Sequence, residues 1–354
     1  MPQMQNKEKH IVNCHDKVRV ALKALDVLED NVSRTLFVVN NDHKLIGSLT
    51  DGDIRRGLLN GLEIFQPIEI FMNTNFKFLK NSNDNLEQIK QFKIADLNLI
   101  PLIDDGYHLI GILDLKKIRT KLPVAALIMA GGRGERLKPL TENTPKPMLK
   151  IGDKPIIEHN IDRLIAYGIN EIYISVKYLK DQIINYFGDG SAKGIHITYI
   201  EEEEPLGTIG ALSLINRIGY DDILVMNSDL LTNIDFEDFY NFYKKNNAIM
   251  ALASVPYHVN IPYAVLETSG HLISSFSEKP KYTYYSNGGI YLLKFELKAH
   301  IKKGTFFNAT DLMDKVILDK NSNIIHYPLL GYWLDIGQHQ DFIKAQEDIK
   351  HIYF

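Results

Sequence analysis

The chain contains very little cysteine. Cys14 is the only cysteine among 354 residues, so no internal disulfide can form and nothing indicates an oxidising compartment. Long apolar runs are also lacking, because the longest clean one, residues 124–130, is far too short to cross a bilayer. Residues 1–16 lack the apolar core of a secretory signal. We therefore expect a cytoplasmic protein that does not enter the membrane.

An excess of positive charge is lacking as well. The chain has 40 Lys and Arg against 44 Asp and Glu, a net charge of -4, which argues against a general nucleic-acid binder. Hydrophobic residues make up 45% and charged residues 24%, which is typical of globular protein and excludes the disordered, collagen and coiled-coil classes. At roughly 150 residues per domain, the length predicts two or three domains.

The first 120 residues contain a weak internal repeat. The triplet at 45–47 (LIG) recurs at 109–111, which is 64 residues later. Each copy has the order helix, strand, strand, helix, with helices predicted over 18–30 and 51–60, then over 85–92 and 115–121. A unit of about 60 residues buries little core alone, so we expect the two copies to pack face to face.

Strand and helix patterns alternate from residue 124 onward, after a Lys-Leu-Pro hinge at 121–123. This alternation favours a mostly parallel sheet covered by helices, with ligands bound beyond the carboxyl ends of the strands. The predicted strands are 125–129, 172–176, 197–200, 223–227, 248–255, 263–267, 289–293 and 324–327. The predicted helices are 156–167, 179–187, 207–217, 236–245, 309–319 and 338–351.

The sharpest local motif is a glycine-rich loop at 130–134 (AGGRG), directly after the first of these strands. Its three glycines let backbone N–H groups approach an anion closely, and residues 131–154 carry six basic and three acidic side chains. A dinucleotide fingerprint would need glycine at Leu137, and the Gly-Lys pair of a Walker A loop occurs nowhere in the chain. The loop predicts a polyphosphate site; a glycine-rich turn without a ligand is the alternative.

The same loop begins a longer signature. The pattern GGxGxRLxPLT at 131–141, followed by PKPM at 145–148, resembles the signature of the sugar-1-phosphate nucleotidyltransferases. Matching blocks follow in family order at 204–208 (EPLGT), 227–229 (NSD), 278–280 (EKP), 287–291 (NGGIY) and 333–337 (WLDIG). The resemblance covers about 124–338. It implies an α/β fold with a Rossmann-like mixed, mostly parallel sheet, Mg²⁺ dependence, and substrates that are a nucleoside triphosphate and a sugar 1-phosphate.

The resemblance also implies roles for individual residues. The catalytic residues are Arg136, Lys146 and Asp229, and the metal ligands are Asp229 and Asp335. The nucleotide-binding residues are Ala130, Gly131, Gly132, Arg133, Gly134, Gly207 and Thr208. The sugar-phosphate-binding residues are Glu278, Lys279, Asn287 and Ala264. Both reactants are anions, so the reaction requires cationic side chains and a metal held by one or two carboxylates. The acidic residues 201–203 are interpreted as a solvated face.

The N-terminal repeat resembles a tandem pair of CBS (cystathionine-β-synthase) domains, an α+β arrangement. Residues 45–54 (LIGSLTDGDI) carry the resemblance, which implies that Thr50 and Asp53 hold the phosphate and ribose of an adenine nucleotide. In the second copy Asp114 and Lys117 stand at these positions, so at most one site is intact. A structural or dimerising pair without a ligand is the alternative.

These patterns predict a CBS pair over 1–120, with copies at about 1–62 and 63–120, and a nucleotidyltransferase domain over 124–354. We expect a homo-oligomeric sugar-1-phosphate guanylyltransferase for mannose-, glucosamine- or heptose-type substrates, serving surface-glycan or nonulosonic-acid precursor synthesis and regulated through its CBS pair. A thymidylyl- or cytidylyltransferase of the same family and a non-catalytic nucleotide sensor stay open. An NAD-dependent oxidoreductase is disfavoured by Leu137.

Overall fold

A computed structural model describes residues 7–28, 34–80, 85–116, 118–319 and 323–352. The chain divides into two compact units that interleave along the sequence. The first contains residues 1–123, 164–171 and 188–197, and the second contains 124–163, 172–187 and 198–354. The domains predicted from the sequence are continuous, and their bounds stay a prediction. No helix of the described residues is long and apolar enough to cross a membrane.

Residues up to 123 contain two small sheets of the same design. Their elements are β1 (Ile11–Asn13), α1 (Val18–Val27), β2 (Thr35–Val39), β3 (Leu45–Thr50), α2 (Asp51–Leu59), β4 (Leu79–Lys80), α3 (Leu86–Ile94), β5 (Leu99–Ile103) and β6 (Leu109–Asp114). Each sheet has a parallel pair followed by an antiparallel pair, in the orders β1-β2-β3 and β4-β5-β6. The repeat seen in the sequence is therefore also a repeat of topology.

The repeat extends to strand register. Val39 pairs with Leu45 after a register shift in the first copy, and Ile103 pairs with Leu109 after a shift at the same place in the second. Both copies contribute to one buried apolar cluster, which confirms that they pack against each other. The buried members of this cluster are Phe37, Leu45, Leu99, Ile103, Leu109 and Ile112.

The second copy lacks the closing helix that the sequence predicted over 115–121. The described residues of that stretch form turns and irregular backbone, and Lys117 lies outside the described residues. In the first copy Thr50 and Asp53 form a capping box that begins α2. In the second copy Asp114 instead accepts a hydrogen bond from the Lys116 amide at 3.0 Å, which makes a local turn. The helix prediction was wrong because the cap differs.

The remainder of the chain builds a larger α/β structure. Its elements are β7 (Val124–Met129), β8 (Lys150–Ile151), β9 (Lys154–Pro155), α4 (Ile156–Ala166), β10 (Glu171–Val176), α5 (Lys180–Phe187), β11 (His196–Glu201), β12 (Asp222–Asn227), β13 (Leu230–Thr232), α6 (Phe236–Lys245), β14 (Met250–Asn260), β15 (Val265–Ser269), β16 (Leu272–Ser277), β17 (Lys281–Lys294), α7 (Ala309–Leu318), β18 (Ile324–Pro328), β19 (Trp333–Asp335) and α8 (His339–Asp348).

A seven-stranded sheet organises this part, in the order β11-β10-β7-β12-β17-β14-β18. Strand β7 is parallel to β10 and β12, β17 is antiparallel to both of its neighbours, and β14 is parallel to β18. The predicted mixed, mostly parallel sheet is confirmed. Because Met129 pairs with Asn227, the carboxyl ends of β7 and β12 lie side by side, and the loops that follow them start together.

The helix predicted over 207–217 was wrong. Only a short 3₁₀ turn forms, at Gly210–Leu214. Gly207 has a left-handed backbone with φ of 75°, which a helix cannot contain. A Cβ on Gly210 would lie 2.7 Å from the Thr305 carbonyl oxygen, so the chain runs against another backbone segment there. Tertiary contacts therefore override the local helix pattern.

Strands β14 and β17 are longer than predicted. Their inner halves lie buried in the sheet, whereas their outer halves continue as an exposed antiparallel ribbon. The hairpin formed by β15 and β16 follows in the chain between them, and nearly all of its residues are exposed. Hydrophobic patterning could not predict where the buried halves of these strands end and the exposed ribbon begins, because residues that favour strands continue through both halves.

Candidate active site

A cleft of about 460 Å³ opens at the carboxyl ends of β7 and β12. The glycine-rich loop after β7 and the loops that follow β11 and β12 line it. The predicted site residues at its wall are Gly131, Gly132, Gly134, Arg136, Lys146, Gly207, Thr208 and Asp229. A second cavity of about 260 Å³ shares Thr208 and Asn227 with the cleft. The cleft and the second cavity therefore adjoin each other at these two residues.

The glycine-rich loop is shaped by close backbone approach. Gly134 has φ of 64°, and a Cβ there would lie 2.9 Å from the Cβ of Lys146. Glycine at this position therefore lets the segment carrying Lys146 close onto the loop. At Gly132 a Cβ would meet nothing within 4 Å, so this part of the loop faces open space. The loop is anchored at its start, where the amide of buried Ala130 donates to the Ser175 carbonyl at 2.9 Å.

Lys146 lies between two carboxylates. It sits on a 3₁₀ turn, Lys146–Met148, and only 15% of its side chain is exposed. Its Nζ donates a hydrogen bond to Asp229 Oδ2 and lies 4.0 Å from Asp335 Oδ1. The structure therefore brings together the lysine and both aspartates that the sequence selected.

A two-stranded pairing brings the two aspartates together. In the antiparallel pair β13–β19, Leu230 lies opposite Asp335, and the Ile336 amide donates to the Asp229 carbonyl at 3.1 Å. Burial and the negative charge of Asp229 raise the pKa of Asp335. Close carboxylates with a raised pKa indicate a place that favours a cation.

The residues present fit a divalent cation. Asp229 Oδ1 is buried and has no hydrogen-bond partner among the described residues. This oxygen is therefore available to bind a metal ion. Carboxylate oxygens are the ligands that Mg²⁺ prefers, usually one or two together with phosphate oxygens. Asp229 and Asp335 are the residues that would hold such an ion.

The two arginines of the loop have different surroundings. Arg136 is exposed at the cleft wall, and its charge lowers the pKa of Asp335, although burial and Asp229 outweigh it. The guanidinium of Arg133 lies 5.9 Å from the ring centroid of Tyr178, which the sequence had not singled out. The Tyr178 hydroxyl also donates to the Glu142 carbonyl at 2.7 Å and so supports the signature loop.

The predicted sugar-phosphate residues do not all meet. Asn287 lines the second cavity together with Trp333 and Asp335, and its Oδ1 accepts from the Gly289 amide at 3.0 Å. Ala264, Glu278 and Lys279 are exposed in the ribbon region and line neither the cleft nor the second cavity. Of this set, Asn287 is the residue that lines a cavity together with Asp335.

Glu202 is a cleft residue that sequence reasoning missed. One of its oxygens accepts from the Ser175 hydroxyl, and the other accepts from the Leu206 amide at 3.0 Å. It also lies against Gly131, where a Cβ would be 2.8 Å from its Oε1. The interpretation of residues 201–203 as one solvated face was therefore wrong for Glu202. Its position directly after β11, at the sheet edge where the ligand loops begin, was the available signal.

Thr50 and Asp53 already have a local role. The Asp53 carboxylate accepts from the Thr50 amide at 2.9 Å and from Arg56 at 2.5 Å, while the Asp53 amide donates to Thr50 Oγ1 at 3.2 Å. These contacts are the capping box of α2. The Thr–Asp pattern therefore explains a helix start whether or not a nucleotide binds.

Fold and site together define a nucleotidyltransferase, with a glycine-rich loop, a lysine and paired aspartates at the carboxyl edge of a mixed sheet. A family model described as nucleotidyl transferase matches residues 125–352, and the chain belongs to this family. A CBS domain model matches residues 7–60.

The chain is also similar to named relatives. The chain is 33% identical over 235 residues to a mannose-1-phosphate guanyltransferase of Debaryomyces hansenii, with 62% of each chain covered. It is 31% identical over 233 residues to a mannose-1-phosphate guanylyltransferase of Mycobacterium tuberculosis, with 64% of each covered. The chain thus spans less than two thirds of the length of these relatives.

A solved structure supports the fold. A Bacillus anthracis protein, provisionally described as a glucose-1-phosphate thymidylyltransferase, superposes with a TM-score of 0.54 at 24% identity. The match covers 65% of this chain and 97% of that one. At this identity it speaks for the fold alone.

Proposed function

We propose that this protein transfers a nucleotidyl group from a nucleoside triphosphate, with GTP favoured, to a sugar 1-phosphate of mannose, glucosamine or heptose type. The observation that carries the proposal is the meeting of Lys146, Asp229 and Asp335 beside a glycine-rich loop. GTP and a mannose-type sugar are favoured because the relatives above are named mannose-1-phosphate guanylyltransferases.

The reaction joins two anions. An oxygen of the sugar phosphate attacks the α-phosphorus of the triphosphate, the bond from that phosphorus to the bridging oxygen breaks, and pyrophosphate leaves. Lys146 and Arg136 offset the negative charge of the phosphates, and Gly131 and Gly132 line the same wall. A bound Mg²⁺, held by Asp229 and Asp335, would supply further charge neutralisation. The adjoining cavity offers a place for the sugar.

A matrix of substrates tests the proposal. Four nucleoside triphosphates are paired with mannose, glucosamine, glucose and heptose 1-phosphates, and pyrophosphate release is measured with Mg²⁺ and with EDTA. We expect GTP with a manno-type sugar phosphate to give the highest kcat/KM, by about tenfold or more, and EDTA to abolish it. A higher value with TTP or CTP would instead favour the thymidylyl or cytidylyl branch.

A nucleotide sensor without turnover is the second candidate. It predicts tight binding of a triphosphate and no pyrophosphate with any pair in the matrix, a result that overturns the proposed transfer. Its weakness is the meeting of the lysine with two carboxylates, because charged groups of both signs around one point fit the stabilisation of a reacting phosphate better than binding alone.

The CBS pair is proposed to regulate the enzyme through an adenine nucleotide. Regulation requires that the nucleotide binds two conformational states of the enzyme with different affinities. Calorimetric titration of the full chain with AMP and ATP is expected to show binding that Asp53→Asn weakens about tenfold, a typical loss for one charged contact. Asp105→Asn, an exposed change in the second copy, serves as the control. Unchanged binding in Asp53→Asn contradicts the assignment, and no binding in wild type leaves a structural pair.

The wider setting rests on the family resemblance alone. We propose that the product is a precursor for surface glycans or nonulosonic acids. We also propose that the reaction takes place in the cytoplasm. A homo-oligomer stays a prediction.

A further inference from the structure

Helix α4 presents two buried polar side chains to the segment that carries Asp229. Asn160 is 2% exposed and Arg163 is 5% exposed, and they lie three residues apart on one face of the helix. Asn160 Nδ2 donates to the Leu230 carbonyl at 2.9 Å and approaches the Ser228 carbonyl at 3.4 Å. Arg163 Nη2 donates to the Ile234 carbonyl. The segment 228–234 is therefore held by side chains of α4.

The two carbonyls that Asn160 binds lie on either side of Asp229. The Ser228 carbonyl belongs to the peptide group that precedes Asp229, and the Leu230 carbonyl to the peptide group that follows Leu230. Holding both restricts the backbone at Asp229, and hence the direction of its Cα–Cβ bond. The Asp229 carbonyl is itself held by the Ile336 amide at 3.1 Å, next to Asp335. The backbone of Asp229 is thus fixed from α4 and from the residue after β19.

A buried amide at this place needs an explanation. Burying an amide is unfavourable unless its hydrogen bonds are made, and an apolar side chain could fill the same volume. The Asp229 side chain cannot fix its own orientation fully, because Oδ1 has no partner among the described residues. A donor placed at the backbone on both sides of it supplies the missing constraint.

We propose that Asn160 is a positioning residue for the metal site, which holds Asp229 facing Asp335 so that both carboxylates can bind one divalent cation. The inference deepens the proposed function and rests on it for the identity of the ion as Mg²⁺. Groups that orient metal ligands in this way typically change metal affinity by about 10- to 100-fold when they are removed.

Metal binding is measured with Mn²⁺ alone as the probe, by calorimetry on the full chain. Asn160→Ala removes the donor, and Asn160→Asp keeps the shape but turns an acceptor toward the two carbonyls. We expect both variants to bind Mn²⁺ about 10- to 100-fold more weakly than wild type. Asp335→Asn is expected to lose the binding, which shows that the heat comes from this site.

Tyr243→Phe is the matched control. The Tyr243 hydroxyl is a buried donor to Asp222 Oδ1 at 2.9 Å, at the opposite end of β12 from the cleft. Its removal also deletes a buried hydrogen bond, yet it should leave the Mn²⁺ affinity at the wild-type value. Amide hydrogen exchange of a peptide covering 228–234 is expected to accelerate in Asn160→Ala and to stay unchanged in Tyr243→Phe.

Each outcome decides the inference. Wild-type Mn²⁺ affinity in Asn160→Ala overturns it, whether exchange accelerates or not, because a purely structural role would move only the exchange. Absence of Mn²⁺ binding in wild type, or its persistence in Asp335→Asn, also overturns it together with the metal assignment. If the affinities follow the expected order while no substrate pair releases pyrophosphate, the positioning role stands and the proposed transfer fails.

Discussion

Replacing Asp229 by alanine is expected to lower pyrophosphate release by about a thousandfold or more, because it removes the better buried of the two carboxylates that we propose as metal ligands. Asp335→Ala should have a similar effect, since Asp335 Oδ1 and Asp229 Oδ2 both face the Lys146 ammonium. The measurement is kcat/KM with GTP and mannose 1-phosphate over a range of Mg²⁺ concentrations. A higher Mg²⁺ concentration should restore little activity, because the carboxylate that would hold the ion has been removed.

The Asp229→Ala variant should still fold. In the wild type, burial and the charge of Asp229 raise the pKa of Asp335, so the two carboxylates oppose each other. Deleting one charge removes that repulsion, and Lys146 keeps Asp335 as a partner at 4.0 Å. Because Asp229 is partly buried and pairs with Lys146, we expect the free energy of unfolding to fall by about 0.5–3 kcal/mol while the variant stays folded. Thermal unfolding followed by circular dichroism checks this.

Glu135→Ala is the control for the loss of a carboxylate. Glu135 lines the same cleft, but it is exposed and pairs with Lys138 at 2.6 Å. Its removal should change kcat/KM only slightly. Wild-type rates in Asp229→Ala or Asp335→Ala would remove the metal assignment, and an equal loss in Glu135→Ala would show that any negative charge in the cleft matters.

The sequence located the candidate site well where the local motif and the strand order agree. The loop at 130–134 and Asp229 each follow a strand, and parallel neighbours bring such loops to one edge. Asp335 could be placed there only by resemblance. The contact that brings it near, β13–β19, joins two three-residue strands about 100 positions apart, and such short strands carry no periodic signal.

Other features depend on tertiary contacts that a pattern does not contain. Asn160 reads as an ordinary polar position in a helix, yet it is buried against the backbone of another segment. Glu202 reads as one member of an acidic run, yet it accepts two hydrogen bonds at the cleft. The helix predicted over 207–217 failed at Gly207 and Gly210, where other backbone approaches closely. In each case the deciding partner is distant in sequence.

Lys146→Ala is expected to separate phosphate binding from metal binding. The lysine offsets phosphate charge, so its loss should lower kcat/KM by about 100- to 1,000-fold. Its ammonium also occupies Asp229 Oδ2 and would repel a divalent cation, so Mn²⁺ alone should bind the variant at least as tightly as wild type. Asp229→Ala should differ from this variant, because both its activity and its Mn²⁺ binding should be lost.

Lysine size and position both matter for this prediction. Lys146→Arg should be nearly as inactive as Lys146→Ala. The Lys146 side chain packs tightly against the loop, since a Cβ on Gly134 would lie 2.9 Å from the Lys146 Cβ, and the larger guanidinium needs more room. Lys150→Ala, an exposed change on β8, should keep wild-type activity and serves as the charge control. Loss of Mn²⁺ binding in Lys146→Ala would contradict the argument, because the lysine would then support the cation site instead of competing for its ligand.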